Sequence, residues 1–110
     1  MKQRDIYYAN LDPVKGREQK GMRPVVIISG NTMNDNFEIC IVCPLTTQLK
    51  NIQSRVLLKK DDLNNLKQDS EVLTFQIRAI SKVRLDEKIG EISYEQLASV
   101  IERINDILKY

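Results

Sequence analysis

The segment that most constrains the fold is GREQKGMRPVVIIS, residues 16–29. It begins as a charged loop flanked by glycines and continues as Arg23-Pro24 followed by the β-branched run VVII. A short β-branched run after turn-forming residues predicts a buried strand, here residues 24–29. Proline restricts the residue before it to extended or turn conformations, so Arg23 is held firmly where loop and strand meet. An arginine on such a rigid base is a candidate functional residue.

Other short runs also have strand composition, at residues 5–11, 37–45, 54–59, 70–81 and 82–92. The run 37–45 is continuously apolar from Ile39, which predicts burial on both faces. The run 70–81 alternates in polarity, which predicts one long strand with a polar face. Its two faces comprise Val72, Thr74, Gln76 and Arg78 on one side and Leu73, Phe75, Ile77 and Ala79 on the other.

Residues 30–36 are predicted to form a loop, and residues 61–66 a short helical turn with an aspartate cap. The one convincing helix begins at Ser93, because Ser93 and Gln96 have the spacing of a capping box. An apolar stripe predicts its core-facing side: Leu97, Ile101, Ile104 and Leu108, broadened by Val100 and Ile107.

These elements predict a mainly β fold of five to seven short, mostly antiparallel strands closed by a C-terminal α-helix. A small, partly open β-barrel is the expected architecture, because it limits exposed strand edges in a chain of 110 residues. We expect residues 1–110 to form a single domain. The chain has neither a membrane-spanning apolar run nor a signal-peptide pattern at its N-terminus, so the cytoplasm is the expected location.

The chain has no histidine, which removes the usual general base of nucleophilic enzymes and the commonest transition-metal ligand. Cys40 and Cys43 lie three apart in a predicted strand, so they point to opposite faces and are expected to be buried free thiols. We therefore expect neither a metal nor another cofactor.

The net charge of +2 is unevenly distributed along the chain. Residues 44–60 contain four basic and no acidic side chains, whereas residues from 86 onward contain six acidic and three basic ones. This asymmetry predicts a basic face that suits a polyanion, although scattered surface lysines would produce a similar pattern.

Arg23 and Thr46 are the two candidate site residues. If the strands 24–29 and 37–45 pair as a hairpin, the start of one lies beside the end of the other, and the two side chains become neighbours. An arginine fork beside a hydroxyl binds a phosphodiester through charge-assisted hydrogen bonds. The alternatives are an ion pair of Arg23 with Glu18 or a helix carboxylate, and a turn role for Thr46.

Three motifs carry a resemblance that covers essentially the whole chain: Gly16-x-Glu18-Gln19-x-Gly21-x-Arg23-Pro24, Pro44-Leu45-Thr46, and Gln76-x-Arg78 followed by Ile80. In order and spacing they closely resemble the MazF/PemK family of toxin endoribonucleases, the mRNA interferases of type II toxin–antitoxin systems. The resemblance implies an SH3-like barrel, a homodimer, and sequence-specific cleavage of single-stranded RNA without a metal. It also implies neutralisation by a cognate antitoxin, and DNA binding by the toxin–antitoxin complex.

Carried onto this chain, the resemblance assigns Arg23 and Thr46 as catalytic residues. The RNA's own 2′-OH would attack the adjacent phosphate, leaving a 2′,3′-cyclic phosphate and a 5′-OH, so no protein nucleophile is required. Contacts with RNA are expected from Arg17, Glu18, Gln19, Lys20, Thr47, Gln48, Gln76 and Arg78.

The chain departs from the family pattern at three positions. Many relatives carry an acidic residue where Phe75 stands, which leaves Glu18 as an alternative proton acceptor. Arg17 and Arg4 replace a serine and a glycine, and both are expected to attract phosphate. The alternative function is a non-catalytic protein on the same fold, either an RNA-binding protein or a gyrase-binding toxin like CcdB.

Overall fold

A computed structural model describes residues 1–11 and 21–110. The short β-branched and aromatic runs form strands, and two segments form helices. In chain order the elements are β1 (Asp5–Asn10), β2 (Met22–Ile27), α1 (Asn31–Asn36), β3 (Ile39–Thr46), β4 (Arg55–Leu58), β5 (Ser70–Leu73), β6 (Arg78–Ser81), β7 (Leu85–Glu91) and α2 (Tyr94–Lys109). Two 3₁₀ turns, Thr74–Gln76 and Lys82–Arg84, lie on either side of β6.

The strands of the described residues form one antiparallel sheet in the order β4-β5-β3-β2-β1-β7, with β6 paired to β3 beside this path. One edge of β3 pairs with β2, and the other edge pairs first with β6 and then with β5. The sheet does not close on itself. The prediction of a mainly β, partly open antiparallel fold with a C-terminal helix is confirmed.

Two hydrophobic clusters lie on opposite faces of this sheet, because side chains alternate along each strand. The helix-side cluster contains Val26, Cys43 and Val72, together with the buried side of α2. The inner cluster contains Val25, Ile27, Cys40, Val42 and Ile80. The two cysteines are therefore free, buried and on opposite faces, as predicted. Burial raises the pKa of the Cys43 thiol to about 12.

The prediction of one strand over residues 70–81 is wrong, because the 3₁₀ turn Thr74–Gln76 divides it. The Thr74 hydroxyl donates a hydrogen bond to the carbonyl of Ser54, which turns the backbone inward. The two faces predicted for residues 70–81 are therefore not continuous. Val72 and Thr74, predicted on the polar face, are fully buried, while half of the Phe75 surface is exposed.

Helix α2 begins with the predicted capping box, in which Ser93 and Gln96 exchange hydrogen bonds of 2.9 and 3.1 Å. The core side of α2 is narrower than predicted. Leu97, Val100 and Ile104 are buried, whereas Leu108 is 80% exposed. No helix in residues 1–11 and 21–110 is long and apolar enough to cross a membrane.

The loop predicted at residues 30–36 contains the short helix α1. Its buried Asn34 donates to the carbonyl of Ser29 at 2.8 Å and accepts from the Ser29 hydroxyl. These side-chain bonds anchor α1 to the end of β2. Local composition alone, with several asparagines, favoured a turn instead.

Candidate active site

Arg23 and Thr46 lie at the same end of two neighbouring strands. The β2–β3 register pairs Ile27 with Val42 and Val25 with Pro44. Two residues further along, this register aligns Arg23 with Thr46. Because side chains alternate along a strand, both belong to the face that carries the inner cluster. The predicted antiparallel pairing of the two strands is therefore present, and its register, extended by two residues, brings Arg23 and Thr46 opposite each other.

The hydrogen bonds of Thr46 define what its hydroxyl can do. Its Oγ1 accepts a bond of 3.1 Å from the backbone N–H of Gln48. The hydroxyl proton therefore remains available for donation to a ligand. Thr46 is half-buried at the end of β3, whereas Arg23 is exposed. Among the described residues, no carboxylate pairs with the Arg23 guanidinium, so its fork of donors faces solvent.

Arg78 adds a second cation on the same face. It pairs with Val42 on the edge of β3 opposite to β2, so alternation places its side chain on the face of Arg23 and Thr46. Gln76 ends the 3₁₀ turn just before it, and both side chains are exposed. This face of the sheet thus carries two arginines and a threonine hydroxyl, with Arg78 four residues along β3 from Thr46, and such a face suits a polyanion.

The remaining predicted RNA contacts come from two segments of the chain. Thr47 and Gln48 directly follow β3 and are exposed. Arg17, Glu18, Gln19 and Lys20 lie outside the described residues, and their roles remain predictions.

A groove of about 380 Å³ lies at this end of the sheet but on its other face, the face of the helix-side cluster. Pro24 and Thr47, the chain neighbours of Arg23 and Thr46, line one side of it. Its other walls include Tyr8, Lys67, Gln68 and Lys88. Glu87 also lines the groove, and Lys88 pairs with Asp5 at 3.3 Å and with Glu91 at 3.9 Å, so its walls carry charges of both signs. Tyr8, Lys67, Gln68 and Lys88 were not candidates from the sequence, because they come from three distant segments without a shared motif.

Glu71 is the acidic residue nearest to Thr46 in the sheet, where it is the cross-strand partner of Thr46. Its side chain is buried and accepts hydrogen bonds from Lys50, Asn51 and Arg55. Burial by itself raises the pKa of Glu71, but the hydrogen bonds outweigh it and hold the pKa below its ordinary value of 4.5. With both oxygens occupied, Glu71 does not serve as a proton acceptor.

Within residues 1–11 and 21–110, no three cysteine, aspartate or glutamate side chains are grouped so that they would hold a metal ion.

Comparison with known proteins identifies the family. The family model of the PemK-like, MazF-like toxins of type II toxin–antitoxin systems matches residues 2–108. The chain belongs to this family. An Endoribonuclease MazF of Staphylococcus saprophyticus is 37% identical over 107 residues, which cover 96% of this chain and 88% of that protein. The family prediction is thus confirmed, and the expected endoribonuclease activity agrees with the name of this relative.

Solved structures of MazF toxins share the fold. The Mycobacterium tuberculosis toxin MazF-mt6 has a TM-score of 0.80 at 25% identity, with 96% of each chain covered. An endoribonuclease from a mycobacterial species, solved in complex with its cognate antitoxin, has a TM-score of 0.81 at 20% identity and covers 98% of this chain and 94% of that one.

One departure from the MazF pattern, Arg4, acquires a structural explanation. Arg4, which replaces a glycine, has a positive φ of 83°. Its guanidinium donates to the Ile92 carbonyl at 2.7 Å, pairs with Glu91 at 3.4 Å and stacks on Tyr94. The charge is thus neutralised at the start of α2, which corrects the expectation that Arg4 attracts phosphate. Phe75, in place of an acid, lies half-exposed next to Gln76.

Proposed function

We propose that this MazF-family toxin cleaves single-stranded RNA at short sequence motifs, without a metal, in the cytoplasm. The observation that carries the proposal is the alignment of Arg23 with Thr46 on one face of β2 and β3, with Arg78 on the same face. A cationic fork beside a free hydroxyl proton matches the charge distribution of a phosphodiester. The relative named as an endoribonuclease supports the same activity.

The proposed reaction is an intramolecular transesterification of RNA. The 2′-oxygen bonds to the adjacent phosphorus, its proton leaves to a base, the bond from phosphorus to the 5′-oxygen breaks, and the 5′-oxygen takes up a proton from water. The products are a 2′,3′-cyclic phosphate and a 5′-OH. Arg23 donates hydrogen bonds to the phosphoryl oxygens as negative charge accumulates on them in the transition state. The Thr46 hydroxyl donates to the same phosphate or to the leaving oxygen.

The proton acceptor is assigned by elimination to the loop 16–21. Phe75 offers no acceptor, and the carboxylate of Glu71 is fully occupied. Arginine stays protonated at ordinary pH, so Arg23 is not the base. These exclusions leave Glu18 as the candidate for accepting the 2′-OH proton.

The RNA path is proposed to continue on both sides of the scissile phosphate. Gln76 and Arg78 border one side, and Thr47 and Gln48 the other. Arg17, Glu18, Gln19 and Lys20 are proposed to contact the RNA from the preceding loop.

The proposed partners are a cognate antitoxin and a second copy of the chain. The mycobacterial structural neighbour was solved with its cognate antitoxin. An acidic antitoxin segment would complement Arg23 and Arg78, which form no ion pair within residues 1–11 and 21–110, and would compete with RNA for them. We further propose that residues 1–110 act as one toxin domain in a homodimer, and that the toxin–antitoxin complex binds DNA.

An RNA-cleavage assay in EDTA tests this function. The purified wild type is incubated with a long single-stranded RNA, and the fragment ends are identified by mass spectrometry. We expect 2′,3′-cyclic phosphate and 5′-OH ends, and a loss of at least about 100-fold in rate for Arg23→Ala and for Thr46→Ala. Arg103→Ala and Thr32→Ala, on the two helices, are the matched controls.

The controls and the alternatives give distinct outcomes. Wild-type cleavage by both site variants would exclude the assigned residues. RNA binding without cleavage by the wild type would instead identify a non-catalytic binding protein. Inhibition of gyrase without any effect on RNA would identify a gyrase-binding toxin.

A further inference from the structure

Glu71 is a buried carboxylate whose partners all belong to one segment of the chain. It is only 3% exposed. Its two oxygens accept backbone N–H bonds of 2.9 Å from Lys50 and Asn51, which lie in the connection between β3 and β4. Arg55, at the start of β4, completes the set with an ion pair of 3.0 Å. Glu71 therefore binds the segment that follows Thr46.

Arg55 extends these contacts toward the site. The same Nη1 atom that pairs with Glu71 donates to the carbonyl of Gln48 at 3.1 Å. The N–H of Gln48 in turn donates to the Thr46 hydroxyl. A continuous series of hydrogen bonds thus runs from Glu71 through Arg55 and Gln48 to Thr46.

We propose that Glu71 and Arg55 are positioning residues that hold Gln48 so that its N–H orients the Thr46 hydroxyl for phosphate. This inference rests on the proposed function, since it assumes that Thr46 acts in cleavage. The pair does not contact RNA itself, because the Arg55 side chain is 11% exposed and the Glu71 side chain 4%.

The energetics of buried ion pairs favour a positioning role over a purely stabilising one. The free-energy cost of removing two charges from water offsets most of their attraction. An apolar pair of similar volume would therefore stabilise the sheet equally well. Directional hydrogen bonds, in contrast, determine where a loop lies. Three such bonds connect Glu71 and Arg55 to backbone atoms of Gln48, Lys50 and Asn51.

A double-mutant cycle tests the inference. Single-turnover cleavage of a saturating RNA is measured for the wild type, Glu71→Gln, Thr46→Ala and the double variant, with excess enzyme so that residual rates are measurable. We expect Glu71→Gln to lower the rate about tenfold in the wild-type background, the range in which a small displacement of a catalytic group acts. In the Thr46→Ala background the same substitution should leave the rate unchanged, because the hydroxyl to be oriented is absent.

Arg55→Lys serves as the second variant in case Glu71→Gln does not fold. Lysine keeps the charge beside Glu71, but its flexible stem does not hold a donor in the fixed position that Arg55 Nη1 occupies between Glu71 and the Gln48 carbonyl. We expect the same dependence on Thr46, with a smaller decrease in rate. Amide hydrogen exchange should be accelerated at Gln48, Lys50 and Asn51 in both variants.

The matched control is Glu91→Gln, which breaks the ion pair of Arg4 at the other end of the molecule. It should lower the melting temperature without changing the cleavage rate. If Glu71→Gln slows cleavage by the same factor in both backgrounds, or does not slow it, the positioning role is wrong. If Thr46→Ala cleaves at the wild-type rate, the assignment of Thr46 in the proposed function is wrong instead.

Discussion

The guanidinium carbon of Arg4 lies 3.7 Å from the centroid of the Tyr94 ring, so the start of β1 is joined to the first residue of α2. Arg4 also bonds Glu91 and the Ile92 carbonyl, which precede the helix. This contact links the residue before β1 to the C-terminal helix α2. It also explains how an arginine is retained at a positive φ, where a side chain is unfavourable.

Arg4 provides the first prediction, which separates backbone strain from side-chain contacts. Arg4→Ala keeps the strained φ and loses the contacts, so we expect the free energy of unfolding to fall by about 2 kcal/mol. Arg4→Gly loses the same contacts but relieves the strain, and should recover about 1 kcal/mol. Urea denaturation of both variants measures the difference. Equal stability of the two variants would show that the positive φ costs nothing.

Gly90 provides the second prediction, because another backbone segment approaches it closely. A Cβ at this position would lie 2.4 Å from the carbonyl oxygen of Asn64, an atom that cannot move independently of its chain. Gly90→Ala should therefore lower the free energy of unfolding by about 3 kcal/mol, the upper range for overpacking. Gly30→Ala is the matched control, since nothing lies within 4 Å of its added Cβ. Its effect should stay within about 0.5 kcal/mol.

The pH dependence of stability provides the third prediction. Burial raises the pKa of Glu71 in the folded state, but the hydrogen bonds from Lys50, Asn51 and Arg55 lower it by more. The pKa of the folded state is therefore below the ordinary value. A lowered folded-state pKa means that the contribution to stability is complete above the unfolded value near 4.5 and is lost as the pH falls below it.

Unfolding curves at several pH values between neutral and acidic test this sign. We expect the stability difference between the wild type and Glu71→Gln to be largest near neutral pH and to shrink in acid. A difference that is independent of pH would show that the charge of Glu71 does not contribute to folding.

Phe75 provides the fourth prediction. Half of its surface is exposed, so truncation to alanine should cost only about 1 kcal/mol of stability, below the usual cost for a core phenylalanine. Phe75→Glu restores the acid that many relatives carry beside the Gln-x-Arg motif, which is proposed to contact RNA. We expect this variant to fold and to cleave RNA faster, with a rate that rises as its carboxylate ionises. Phe75→Gln, equal in size and uncharged, is the control and should show no acceleration.

Local chemistry made several features predictable. The run Val25–Ile28, the turn residues around it and the hairpin geometry were sufficient to place Arg23 beside Thr46. The capping box of Ser93 and Gln96 located the start of α2, since capping depends on residues only three apart. The opposite orientation of Cys40 and Cys43 followed from the period of a strand. Each of these relations involves adjacent residues or one hairpin.

Long-range contacts decided the rest. The division of the strand at residues 70–81 depends on a hydrogen bond from Thr74 to Ser54, 20 positions away. The pairing of Glu71 with Arg55, and the groove formed by Tyr8, Lys67 and Lys88, likewise join separate segments. No periodicity within one segment encodes such contacts, because their geometry exists only after the strands have packed. The sequence by itself thus determined most strands, helix α2 and the candidate pair, while the tertiary structure decided the division of residues 70–81, helix α1 and the contacts that hold Thr46.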